Sequence, residues 1–199
     1  MSKGLLSTAS QLVRKVASKP KIAFISGPIA VNDTYFKTHY LPALTSAISQ
    51  SHSFVLGPTK GIDTFASHHL LSSGVSPSKI TIYLGNHQRM WQKRYTSFEA
   101  QGGKMLVVGR NHEERDEACT RASHYDILRY RPEEEARQLF GERYWPRISG
   151  TEKNERRRKG GFALDGPTRE FERITDHIAY TRSSHLLVCR SSVTNQVTL

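Results

Sequence analysis

Four times between residues 21 and 109 the chain repeats one unit, a short apolar run closed by glycine and followed by a longer amphipathic or polar stretch. KIAFIS (residues 21–26) runs into Gly27-Pro28, SFVLG covers residues 53–57, KITIYLG residues 79–85, and KMLVVG residues 104–109. Continuous apolar runs of this length, without the alternation of a half-exposed strand, read as strands buried on both faces. Between the first two runs, residues 33–50 place Tyr35, Phe36, Tyr40, Leu41, Leu44 and Ile48 at helical spacing. Asp33 is the expected N-cap and Pro42 an interruption. Residues 62–73 read as a helix ended by Gly74. Residues 86–101 carry Trp91, Tyr95 and Phe98 at helical spacing and read as a covering helix or lid.

Helices are also expected over residues 113–123, 132–140, 151–159 and 167–182, with strands at 125–130 and in the apolar stretch 185–189. Strands alternating with helices specify an α/β protein, a Rossmann-like three-layer sandwich on a mostly parallel sheet, here a single domain over residues 21–199. In such sheets ligands sit beyond the carboxyl ends of the strands, where helix N-termini present free amides. That rule selects Ser26-Gly27, residues 57–63, Gly85-Asn86, Gly109-Arg110 and Arg129 as the rim.

Charge is the unusual part of the composition. Lys and Arg number 29 against 18 acids, a net charge of +11, while apolar residues make up 37% and charged residues 24%. This is too apolar for a disordered polyelectrolyte, and no run approaches the roughly 18 apolar residues of a membrane span. Cys119 and Cys189 stand alone, without CxxC or Cys/His ligand spacing, and His68-His69 has no partner at metal-ligand spacing. We therefore expect no metal and no cofactor, and a reducing, cytoplasmic setting. The first twenty residues hold Lys3, Arg14, Lys15 and Lys19, four serines and no acid. They read either as a loose basic tail or as a mitochondrial presequence. The denser block is Arg143, Arg147, Lys153 and Arg156 to Lys159, with Arg129 and Arg131 upstream. Local charge beside glycines favours an anion site over a general nucleic-acid surface, with a solvated helical face as the plain alternative.

The most specific segment runs from Phe54 to Val75. Gly57 closes a strand, Thr59, Lys60 and Gly61 form a short loop, and Asp63 opens a helix. The glycines allow close backbone approach, and the exposed amides favour an anion. Asp63 either accepts from a ribose hydroxyl or serves as a helix cap. A second phosphate cradle is Ser149, Gly150 and Thr151 at a helix start, with Arg115 and Arg157 as bidentate partners.

The run Ile25 to Val31, the strand-G-x-x-x-G-I-D-x-x-A pattern at residues 57–66 and the downstream Gly150-Thr151 helix start resemble the SLOG superfamily. These Rossmann-like domains include DNA-processing protein A and the Lonely Guy phosphoribohydrolases, with nucleoside 2-deoxyribosyltransferases more distant. The resemblance covers residues 21–159. It implies a nucleotide or nucleoside-phosphate ligand and chemistry at an N-glycosidic bond. The phosphoribohydrolase R-K-x-x-M motif corresponds to Arg115 through Cys119, with Asp116 in place of Lys. The P-G-G-x-G-T-x-x-E motif corresponds to Pro146 through Asn154, with Arg147 and Ile148 in place of the glycines and Asn154 in place of the carboxylate expected to assist cleavage.

As an enzyme the chain would need another carboxylate near the anomeric carbon, and Asp63, Asp116 and Glu152 are the candidates. As a sensor the same cleft would bind a nucleotide without turnover. A single-stranded nucleic-acid binder is the least favoured class. Relatives are often dimers, which directs attention to residues 167–199 for a homodimer contact.

Overall fold

A computed structural model describes residues 20–162. The expected basic tail, the helix at 167–182, the strand at 185–189 and the dimer region therefore lie outside the described residues, apart from Pro20. Five strands form one parallel sheet: β1 (Ile22–Ser26), β2 (Ser53–Leu56), β3 (Ile80–Leu84), β4 (Lys104–Val107) and β5 (Tyr125–Leu128). Their order is β4-β3-β2-β1-β5. The expected α/β architecture is present.

Alternation along each strand sorts side chains between two faces. Ala23, Ile25, Phe54, Leu56, Ile80 and Ile82 meet the larger apolar cluster with α1 (Asp33–His39), α2 (Leu41–Ser49) and α3 (Ile62–Ser72). Phe24, Val55 and Tyr83 meet Ala118 and Cys119 of α5 (His112–Arg121) on the opposite face. Every central strand is buried on both faces, which is why these segments read as unbroken apolar runs rather than alternating ones.

Local chemistry adjusts several boundaries. The helix expected over residues 33–50 divides at Tyr40, because Pro42 has no N–H to bond the carbonyl of Thr38 and instead opens α2. The N-cap of α1 is Asn32, whose side chain accepts from the Tyr35 amide, and Asp33 lies inside the first turn. Residues 86–101 form a 3-10 segment, Asn86–Tyr95, and the short α4 (Thr96–Ala100) rather than one helix. Tyr95 and Phe98 tether it to the larger cluster.

The direction of winding changes at β1. From β1 the chain steps outward to β4 with α1 to α3 on one face, then α5 returns it on the other face to β5, beside β1. Right-handed crossovers require that exchange of faces when the direction reverses. Just beyond the paired carboxyl ends of β1 and β5 sits the Tyr40 hydroxyl. Its single proton is shared between the carbonyl oxygens of Ser26 and Arg129, and its oxygen accepts from the Arg129 amide, each at 3.0 Å. Beyond β5 follow α6 (Glu133–Phe140) and α7 (Gly150–Lys159), and α7 packs against α5 and β5. Among the described residues no helix is long and apolar enough to cross a membrane.

Candidate functional site

A cleft of about 1120 Å³ opens at this switch point. Its floor comes from Ser26, Gly57, Asp63, Arg115 and Asp116, and one side from the start of α7. Its outer wall is the stretch from Tyr130 to Ile148. Of the residues expected from sequence, Ser26, Gly27, Gly57, Thr59, Asp63, Arg115, Asp116, Ser149, Gly150, Thr151 and Glu152 share it. Lys60, Gly61, Asn154 and Arg157 do not line it.

The glycines are required by packing within the protein. A Cβ at Gly57 would lie 2.7 Å from the Asp63 carboxylate and 3.2 Å from the Arg115 guanidinium carbon. At Gly61, φ is +84° and a Cβ would meet the carbonyl oxygens of Pro28 and Ile29. Gly27 is packed beneath the Tyr40 hydroxyl and Ile62.

Under the cleft runs a polar network. Arg115, 6% exposed, donates from Nε and Nη2 to Asp116 Oδ1 at 2.9 and 2.6 Å. Its Nη1 donates to Gln88 Oε1 at 3.1 Å, and Gln88 in turn caps the Gly85 amide. Nη1 also meets His112 Nδ1 at 3.3 Å. Since arginine only donates, this contact makes Nδ1 the acceptor and leaves His112 Nε2–H to donate to His87 Nε2, 3.1 Å away. Burial, then the Arg115 and His87 charges, lower the His112 pKa.

Asn154 is fully buried and joins three elements. Its amide nitrogen donates to Ser26 Oγ at 2.9 Å and to Asp116 Oδ2 at 3.3 Å, while its oxygen accepts from Arg157 Nη1 at 2.5 Å. Arg157 also lies 3.5 Å from Glu113. Asn154 and Arg157 are thus cross-links behind the cleft, and the guanidinium groups expected to grip phosphate, Arg115 and Arg157, are engaged with protein partners.

The same is true of most of the basic block. Lys153 pairs with Glu113, Arg156 with Glu152 and Lys159 with Glu155. Arg158 forks onto both oxygens of Asp126, at 2.7 and 3.1 Å, and bonds Ser123 as well. Arg143 and Arg147, both on the cleft wall, have no ion-pair partner among the described residues.

The three candidate carboxylates differ in their neighbours. Asp116 is held by Arg115 and Asn154, and Glu152 by Arg156. Asp63, 8% exposed, is hydrogen-bonded by Thr59, whose amide donates to it at 3.2 Å. Burial lifts its pKa to about 7 against the opposing pull of Arg115 and Thr59, with Asp116 adding to the rise. A carboxyl at the floor of a cleft that titrates near neutrality is suited to proton transfer or to meeting a developing positive charge.

At the start of α7 the Ser149 hydroxyl accepts from the Glu152 amide and the Ser149 carbonyl from the Lys153 amide. The amides of Gly150 and Thr151 have no acceptor among the described residues and sit at the cleft. Cys119 is buried and its thiol pKa is pushed up by that burial, so it is no nucleophile. Among the described residues no three His, Cys, Asp or Glu side chains are grouped to hold a metal ion.

Sequence reasoning missed Gln88, His112 and the aromatic wall of Phe140, Tyr144 and Trp145. The one available signal was the interleaving of basic and aromatic residues in Arg143-Tyr144-Trp145-Pro146-Arg147. Compared with family models, curated proteins and solved structures, this chain has no match, so the cleft stands on its own geometry.

Proposed function

We propose that the switch-point cleft binds a nucleotide or nucleoside phosphate and that Asp63 acts on its N-glycosidic bond. The observation that carries this reading is the pairing, in one cleft, of a buried carboxyl with a pKa near 7 and two unpaired helix-start amides. The amides of Gly150 and Thr151, with Arg147 beside them, favour a phosphate group. Asp63 in its ionised form is a desolvated carboxylate hydrogen-bonded by Thr59, and such a charge gains most when positive charge develops on a sugar ring. In hydrolysis the bond from the anomeric carbon to the base nitrogen breaks, water adds to the carbon, and the base leaves with a proton. The likeness to SLOG domains in residues 21–159 supports the same class of ligand.

One observation favours a second reading. Asp116 and Glu152 are matched by arginines and Asn154 is locked in the network, so only Asp63 remains to act, and a sensor would need no carboxylate at all. Incubation with nucleoside monophosphates and dinucleotides, followed by chromatography for free base, separates the two. Turnover should rise with pH through about 7 and vanish in Asp63→Asn, which still binds. Thermal stabilisation without base release identifies a sensor, and neither effect refutes both readings.

A further inference from the structure

The outer wall of the cleft presents its apolar side chains openly. Between residues 132 and 149 no residue is buried, and Leu139, Phe140, Trp145 and Ile148 are exposed. The last three line the cleft. Exposed apolar groups that face a site, rather than lying scattered on the surface, are desolvated when the site fills. Trp145 is the largest of them and is 60% exposed. The Arg147 guanidinium stands 5.0 Å from its ring centroid, a cation–π contact that backs the indole. No other aromatic ring stacks on Trp145 among the described residues. Trp145 also lies only five and six positions before Gly150 and Thr151, which limits its backbone to about 20 Å from the unpaired amides of α7.

We infer that Trp145, backed by Arg147, is the platform on which the base of the bound nucleotide stacks while its phosphate meets the start of α7. This rests on the nucleotide reading of the cleft and adds an order of preference to it. Every base has a π face, so stacking selects for the presence of a base more than for its identity. Nucleotides should therefore bind more tightly than the same sugar phosphate without a base, and purines more tightly than pyrimidines because they cover more of the ring.

The chain has two tryptophans, so Trp91→Phe leaves Trp145 as the single indole reporter. The full-length variant is titrated with AMP, UMP and ribose 5-phosphate while indole emission and thermal melting are both followed. AMP and UMP should quench emission and raise the melting temperature, and ribose 5-phosphate should raise it less without quenching. Trp145→Leu should weaken AMP binding by about 10-fold or more and leave ribose 5-phosphate binding unchanged, and Trp145→Phe should recover most of the loss. Stabilisation by AMP with no quenching, or unchanged AMP affinity in Trp145→Leu, overturns the stacking role and leaves the cleft reading standing. An emission change that follows protein concentration instead of nucleotide assigns the wall to contact between two copies and overturns it too. Stabilisation by none of the three compounds overturns the stacking role together with the nucleotide reading.

Discussion

Helix α7 and the cleft wall before it draw on one basic stretch of sequence and use it in opposite ways. In α7 each cation has an acidic partner, and Arg158 and Arg157 reach behind the cleft to fasten the helix to β5 and to the Asn154 network. In the wall, Arg143 and Arg147 have no such partner among the described residues, and Trp145 between them is exposed. A run of positive charge in a sequence is thus two things: a set of internal ties where acids come within reach, and an available field where they do not. The excess of +11 does not measure the field a ligand meets.

The largest effect that probes this contrast should come from Arg158→Ala. It would strand Asp126, whose side chain is 8% exposed, and remove the fork that ties α7 to β5. Breaking a buried pair from one side costs about 3–5 kcal/mol. Urea unfolding should show that loss for Arg158→Ala and a change within about 0.5 kcal/mol for Arg147→Ala, whose side chain is solvent-facing. Equal losses in the two variants would erase the distinction between tie and field.

Asp63 gives the next largest effect, of opposite sign. Its pKa is raised from 3.8 to about 7 on folding, so between those values the folded state binds more protons than the unfolded chain. Stability from this group is therefore full below about pH 4, falls as pH rises towards 7, and is level above. Three units of pKa correspond to about 4 kcal/mol at most. Asp63→Asn, whose side-chain oxygen can still accept from Thr59, should be more stable than the wild-type chain at pH 8 and should flatten the pH dependence between 4 and 7. Urea midpoints across that range check it, and a slope that survives the substitution would place the titrating group elsewhere.

The smallest effect on folding and the sharpest on binding belongs to Arg147. Arg147→Gln should leave the melting temperature of the free protein almost unchanged and reduce the stabilisation given by AMP, with the reduction diminishing at high salt. If Arg157→Gln reduces AMP stabilisation more than Arg147→Gln without lowering the free protein's stability, the field lies on α7 after all.

Legibility from sequence followed the range of the interaction. The strands, the glycine closures and the helix over residues 62–72 were readable because apolar periodicity and turn chemistry act over a few residues. So was the rim at Ser26, Gly57 and Asp63, since one parallel strand followed by a helix already places them at a carboxyl end. That Arg157 is tied to Asn154 and Glu113 was not readable, because Glu113 lies 44 positions away, at a distance that no local pattern encodes. Trp145 was passed over for the related reason that an aromatic in a polar stretch looks the same whether it faces solvent or a cleft.

By itself, the sequence determined the layers of this protein and the end of the sheet where the cleft opens, because burial on both faces and right-handed crossovers leave little choice. Tertiary structure decided which charges remain available there. Whether Asp63 keeps a neutral-range pKa, and whether an arginine is a tie or a ligand contact, depends on the water excluded and the partners brought in by remote segments, and both are set only when the helices close on the sheet.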